Sequence, residues 1–269
     1  MTPGREPGVS DFGISAGGSA AGASEHTAHA EHPDGDPRFA LAAAVRRVIA
    51  AMVAADVPDE ETRALTTVVE SVADRLESSA GPGRRPRVQP DPTGPPQEFF
   101  PTSPVIGFAN PVAPPVRVEA AGAGLVGSAF FDHQYEGPPG CVHGGVIAET
   151  FDELLGATSI AVGQPGMTGT LTIRYRRPTP LRTPLRLEAS FVGRERRKIT
   201  IRGAIYDGDT LTAEAEGVFI EMLPERFVEV LGAQAVTANV LAQIRAEAAA
   251  AGVPTADLGD DGDGGPPPA

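Results

Sequence analysis

The residue types able to do chemistry gather in one stretch, GPPGCVHGGVIAETFDELLG, at positions 137–156. Pro138, Pro139 and Gly140 close a loop that delivers His143, Gly144 and Gly145 to the start of a helix. The first amides of a helix have no internal acceptors and carry the positive end of its dipole. They suit a carbonyl oxygen that turns negative during acyl transfer. Two glycines just inside a helix cost roughly 1 kcal/mol each relative to Ala, which makes sense where a ligand must approach the backbone. The same glycines would also let the helix pack closely on a sheet, and both readings stand. Asp152 follows on the same helix, nine positions after His143, with Glu149 and Glu153 nearby. A carboxylate held there is a nucleophile or general base. Acids on a helix surface are ordinarily solvated, but a helix lying across a sheet is mostly buried, which makes this cluster less ordinary. Asp152 is the first choice and Glu153 the reserve. Cys141 has no His–acid partner pattern and reads as a small buried residue.

These residues need a scaffold, and the apolar periodicity supplies one. A long helix is expected from about Gly144 to Val162, stopped by Gly163 and the PG pair at 165–166. Strand signals run through VRVEA (116–120) and LVGSAFFD (125–132) before it. Four more follow it: TGTLTIRYR (168–176), LRLEASFVG (185–193), KITIRGAIYD (198–207) and LTAEAEGVFIEM (211–222). In the first of these four, Leu171, Ile173 and Tyr175 alternate with Thr170, Thr172 and Arg174. DGD at 207–209 is a hairpin turn signal. Only by lying across one face of a curved antiparallel sheet can such a helix bury Val146, Ile147, Phe151, Leu154 and Leu155. The fold class is therefore α+β, with the hotdog architecture.

Ahead of this domain, Leu41, Val45, Val48, Ile49, Met52 and Val53 share one helical face, and Leu65, Val68, Val69, Val72 and Leu76 another. Pro58, Asp59 and Glu60 suit the start of the second helix. The expected organisation is a disordered tail at 1–36, a helical hairpin at 37–80, a Pro/Gly-rich linker at 81–98 and the hotdog domain at 99–224. A C-terminal helix at 225–250 and a disordered acidic tail at 251–269 complete it. His26, His29 and His32 recur every three residues in the first tail, but nothing near them would hold the rings together as a metal site.

The net charge of −13 argues against a nucleic-acid binder, which needs a cationic face. Ten of the 22 basic residues nevertheless fall between Arg174 and Arg202, opposed there only by Glu188 and Glu195. Such a block can guide a small polyanion. A single cysteine suggests a reducing compartment. No apolar run resembles a secretory or membrane segment, and the expected location is cytoplasmic.

The HGG triplet, six further residues and then Asp152 resemble the PaaI-like hotdog thioesterases, including the THEM acyl-CoA thioesterases. The resemblance continues through Met167–Thr168, LTIRYRRPTPL (171–181), GRERRK and LTAEAEGVF, and covers about residues 99–222. It implies hydrolysis of acyl-CoA, with non-catalytic acyl-CoA binding as the alternative. In its terms Asp152 attacks the thioester or activates water, and the Gly145 amide, next to Gly144, polarises the carbonyl. His143 orients the loop and Thr168 helps to position water. The chain departs from many relatives at Gly137, where they carry Asn. Arg196, Arg197 and Lys198 are the candidates for the CoA phosphates. A thiolate with a pKa near about 8.5 leaves without strong acid assistance, so no metal or other cofactor is expected. Gly144 and Asp152 lie about 12 Å apart along a helix, too far to serve one thioester. A homodimer with shared active sites, or a homotetramer built from it, is therefore expected, pairing Gly145 of one chain with Asp152 of the other.

Overall fold

A computed structural model describes residues 36–79 and 96–221, apart from residue 115. The expected tails, most of the linker and the helix at 225–250 lie outside the described residues. Asp36, assigned above to the first tail, instead caps helix α1 (Pro37–Ala54): its carboxylate accepts from the Arg38 amide at 2.9 Å, and Pro37 takes the first turn, where no amide donor is needed. α1 is fastened to the rest of the chain by Arg46, whose guanidinium donates to the carbonyls of Ala113 (2.6 Å) and Asn110 (2.9 Å). Ala42 is buried, and Phe39 meets Phe108 edge to face. Helix α2 (Asp59–Ser79) opens on three acids, as its dipole favours. None of its residues is buried, so its apolar stripe stays open in the single chain. A short helix, α3 (Pro96–Phe99), leads into the main domain.

Six strands form one antiparallel sheet: β1 (Arg117–Ala121), β2 (Gly124–Ala129), β3 (Gly166–Tyr175), β4 (Leu185–Glu195), β5 (Lys198–Asp207) and β6 (Thr210–Glu221). Their order is β1-β2-β4-β5-β6-β3, which leaves β3 as an edge. Helix α4 (Gly144–Ala161) lies against β2 through β6 and buries Ile147, Phe151, Leu154 and Leu155. Val146, expected to be buried with them, is half-buried and packs against the same core. From the sheet, Leu185, Leu187, Ala189, Ile199, Ile201, Ala213 and Phe219 complete that core with the alternation that a one-sided sheet requires. Register shifts between Thr168 and Thr170, Phe191 and Gly193, and Ile205 and Tyr206 each insert or skip a residue, and such bulges bend strands.

Two glycines set how closely helix and sheet approach. A Cβ on Gly203 would lie 2.8 Å from Leu155 Cδ2, and one on Gly217 would lie 3.1 Å from Leu155 Cδ1 and 2.7 Å from the Phe219 ring. The tight helix–sheet packing considered above for Gly144 and Gly145 is thus provided from the sheet side.

β5 spans the residues its apolar pattern suggests, β2 ends three residues sooner, and β4 runs two residues longer. β4 and β5 reach Glu195 and Lys198, so that Arg196 and Arg197 alone make the turn. Hairpin turns of two residues favour Gly or Asn, and neither is present to mark it. The β5–β6 turn does carry its signal, with Gly208 at φ +54°. No helix among the described residues is long and apolar enough to cross a membrane.

Candidate active site

The loop before α4 is tied down at several points. The His143 amide donates to the Tyr135 carbonyl at 2.8 Å, and the Val142 amide to Thr179 at 2.9 Å. The Gly140 amide donates to Glu136 Oε1 at 2.6 Å. Burial pushes the Tyr135 hydroxyl up to about 12, so it stays a donor, and it bonds to the Val112 carbonyl at 2.9 Å. A Cβ at Gly137 would sit 2.7 Å from His143 Cα. Any side chain there, Asn included, would displace the histidine backbone as it stands in this chain. Cys141 is half-buried rather than buried; its backbone forms a β-bridge with Pro180, and its thiol donates to the Pro139 carbonyl at 3.7 Å.

His143 caps α4. Its Nδ1 accepts the Gly145 amide at 3.0 Å, so this first-turn amide has an acceptor within its own chain. The Gly144 carbonyl accepts from the Tyr175 hydroxyl at 2.8 Å, tying the start of the helix to the end of β3. Tyr175 was missed as a site residue. Its alternation with Leu171 and Ile173 places it on the helix-facing side, and that was the available signal.

Gly145, Glu149 and Asp152 are all exposed and fall on one face of α4, at helical spacing. The Asp152 carboxylate accepts from the Thr168 hydroxyl at 2.8 Å. The structure therefore brings Asp152 and Thr168 together and holds His143, Gly144 and Gly145 as a second group about 10 Å up the helix. Glu153 turns the other way. It accepts from the Ser103 hydroxyl at 2.9 Å, and that same oxygen accepts the amides of Val105 and Ile106. Burial raises the Glu153 carboxyl above the usual range, against a lowering hydrogen bond from Ser103. Its position suits fastening of the 103–106 loop rather than reaction.

Most of the basic block is engaged. Arg174 and Arg176 pair with Glu214, Arg182 with Asp132, Arg186 with Glu188, Arg194 with Glu221, and Arg202 with Glu216. Among the described residues, Arg177, Arg196, Arg197 and Lys198 are the members without a carboxylate within 4.0 Å. Arg196 and Arg197 make the β4–β5 turn, and Lys198 opens β5 directly after it. Lys198 is in register with Ile220 on β6 and so with Met167 on β3, two strand spacings or about 10 Å from the edge that carries Thr168. Arg196 has φ +54°, a conformation costing an L-residue roughly 1–2 kcal/mol. A cation is thus held where Gly would be easier.

Comparison with known proteins places this geometry in a class. The thioesterase superfamily matches residues 139–214, and an N-terminal helical domain known from a hypothetical protein matches residues 30–84. A solved thioesterase superfamily protein is 32% identical, with a TM-score of 0.63, over 71% of this chain and 94% of its own. The chain belongs to the thioesterase superfamily.

Among curated relatives, acyl-coenzyme A thioesterase THEM4 of Mus musculus is 37% identical over 93 residues, 34% of this chain and 40% of its own. THEM4 of Xenopus laevis is 35% identical over 91 residues, 33% of this chain and 41% of its own. The match thus spans about two-fifths of these relatives' length.

Proposed function

We propose that the protein hydrolyses acyl-CoA thioesters to the free acid and CoA. The observation that carries this reading is the Asp152 carboxylate on the open face of α4, oriented by the Thr168 hydroxyl at 2.8 Å. The names of the THEM4 relatives support the substrate class. Asp152 attacks the thioester carbonyl or draws a proton from an attacking water; Thr168 holds one carboxylate oxygen and leaves the other for reaction. The Gly145 amide stabilises the oxyanion. For that, the carbonyl takes the place of His143 Nδ1 on this amide, and the displaced imidazole remains at the mouth of the site. The CoA thiolate then departs, and Arg196, Arg197 and Lys198 hold its phosphates by charge-assisted hydrogen bonds; where Asp152 itself attacked, water hydrolyses the acyl–aspartyl anhydride left behind and frees both the acid and the carboxylate.

The two groups lie about 10 Å apart on one helix, whereas a reacting carbonyl needs both within about 3 Å. Each site is therefore composed of two chains in a two-fold dimer, Gly145 of one facing Asp152 of the other. The exposed helix face and the ten-residue edge strand β3 favour this assembly, since pairing of β3 would cover an open edge. The test is thiol release from a panel of CoA esters by wild-type protein and by Asp152→Asn. Turnover by the wild type that is lost in a folded Asp152→Asn supports the reading. Tight binding of acyl-CoA without turnover by the wild type would make the protein a binder.

A further inference from the structure

On the reading of the Gly145 amide as oxyanion donor, we infer that Tyr175 is a positioning residue for it, acting through the Gly144 carbonyl. The Gly144 carbonyl and the Gly145 N–H are the two ends of one planar, conjugated peptide unit. The Tyr175 hydroxyl donates to that carbonyl at 2.8 Å. It therefore touches, at the oxygen end, the same unit whose nitrogen end meets the substrate carbonyl. A hydrogen bond at the oxygen draws electron density out of the nitrogen and leaves the N–H a stronger donor, by about 10–30% per bond.

Aim matters as much as strength. A peptide unit between two glycines has no Cβ on either side to restrict its tilt, and Gly144–Gly145 is such a unit in the first turn of α4. A carbonyl at this position accepts the amide four residues on and keeps a second lone pair, which Tyr175 takes up. Because the unit is flat, holding its oxygen also sets the direction of its N–H. The tyrosine is itself well placed. It closes β3 opposite Ala213 of β6. Ala213 is buried, and residues opposite each other share a face of the sheet, so the tyrosine rises on the helix side. A Cβ on Gly144 would lie 3.6 Å from both Tyr175 Cζ and the hydroxyl oxygen. That is ordinary contact distance, so the ring rests against the unit it bonds. β3 thus sends one hydroxyl to each half of the chemistry: Thr168 to the Asp152 carboxylate, and Tyr175 to the peptide that carries the Gly145 amide.

The test compares the wild type with Tyr175→Phe, which keeps the ring and removes the hydroxyl. Tyr175 is 55% exposed, so the change opens no buried void. Full-length chains are made cell-free with glycine labelled at the carbonyl with 13C and at the nitrogen with 15N. An NMR spectrum linking each amide to the carbonyl before it then shows only peptides that join two glycines. The sequence has three of these, Gly17–Gly18, Gly144–Gly145 and Gly264–Gly265, and Gly145→Val identifies the middle one by its loss. In Tyr175→Phe that signal alone should move upfield in both carbonyl 13C and amide 15N. Losing a whole oxyanion donor costs about 10²–10³ in kcat, so weakening one by about 10–30% costs roughly two- to eightfold. For the CoA ester that the wild type turns over fastest, Tyr175→Phe should lower kcat by that factor and leave KM and Tm unchanged. An unmoved Gly144–Gly145 signal overturns the inference, as does a moved signal with wild-type kcat. A lower Tm, or a rise in KM in place of the fall in kcat, also overturns it and makes Tyr175 a structural tie only. A wild type that hydrolyses no ester sinks the hydrolase reading and the inference with it, an outcome distinct from turnover that is indifferent to the hydroxyl.

Discussion

The Thr168 hydroxyl reaches the Asp152 carboxylate at 2.8 Å because Gly169 is an extra residue in β3. Thr168 pairs with Phe219 and Thr170 with Val218, so Gly169 stands unpaired between them. Residues opposite each other share a face of the sheet. Phe219 is buried under α4, and Thr168 therefore faces the helix while Thr170 faces away. Without the bulge, strict alternation would turn Thr168 outward with Thr170, Thr172 and Arg174.

Asp152→Asn should keep the fold and the KM but lower kcat by two or more orders of magnitude, roughly the scale of a lost general base. Thr168→Val should lower kcat by about tenfold, the scale of one charge-assisted hydrogen bond of about 1.5 kcal/mol, and Thr168→Ser should restore most of it. Steady-state kinetics on folded protein decide. Near-wild-type turnover in Asp152→Asn would leave Glu149, on the same open face, as the remaining acid.

Mixed dimers test the composite site. Gly145→Val and Asp152→Asn homodimers should both be inactive, the valine having to crowd the His143 ring 3.0 Å from the new Cβ. Co-expressed with different tags and purified as heterodimers, they should regain up to one working site per pair. Folded but inactive heterodimers would contradict site sharing.

At the β4–β5 turn, replacing Arg196, Arg197 and Lys198 by Ala should raise the KM for acyl-CoA several-fold and flatten its salt dependence. A short thioester without the nucleotide should be hydrolysed as before. Arg196→Gly alone should weaken CoA binding without lowering Tm, because glycine tolerates the positive φ that arginine adopts there. Equal damage to both substrates would make the turn a structural element only.

Glu153 should govern part of the pH dependence of stability. Its carboxyl is raised mainly by burial, so the folded state favours the protonated form. That contribution is complete below the unfolded pKa and is lost as pH rises through the higher folded one. Urea midpoints of wild type and Glu153→Gln should diverge in favour of Gln as pH climbs from 4 to 8. Ser103→Ala, which removes the hydrogen bond opposing the shift, should move the transition to still higher pH. Parallel curves for wild type and Glu153→Gln would refute the assignment.

The helix and its buried face were legible in the sequence because one apolar period ran unbroken from Val146 to Leu155. The Asp152 and HGG placements were legible through family resemblance and helix spacing. The inward turn of Thr168 was not, since a bulge leaves no mark on composition and Gly169 is one glycine among many. Nor was the Ser103–Glu153 pair, whose members are fifty positions apart in the chain. The two acids Asp152 and Glu153 look alike in sequence, and only the packing of the 103–106 loop separates the exposed one from the half-buried one. The two N-terminal helices were legible from apolar periods on either side of Pro58, but periodicity reveals a face that wants burial and not what lies against it.

Gly203 and Gly217 give the molecule a mechanical tolerance. Asp152 rides on the helix and Thr168 on the sheet, so the gap between them is a difference of two elevations. Beneath Leu155 that difference is fixed by hydrogen atoms, with no side chain to compress. An alanine at either glycine would act as a shim, tilting the helix by a fraction of an ångström through a core that transmits strain instead of absorbing it. The carboxylate would then lose its hydroxyl partner although neither residue of that hydrogen-bonded pair had changed.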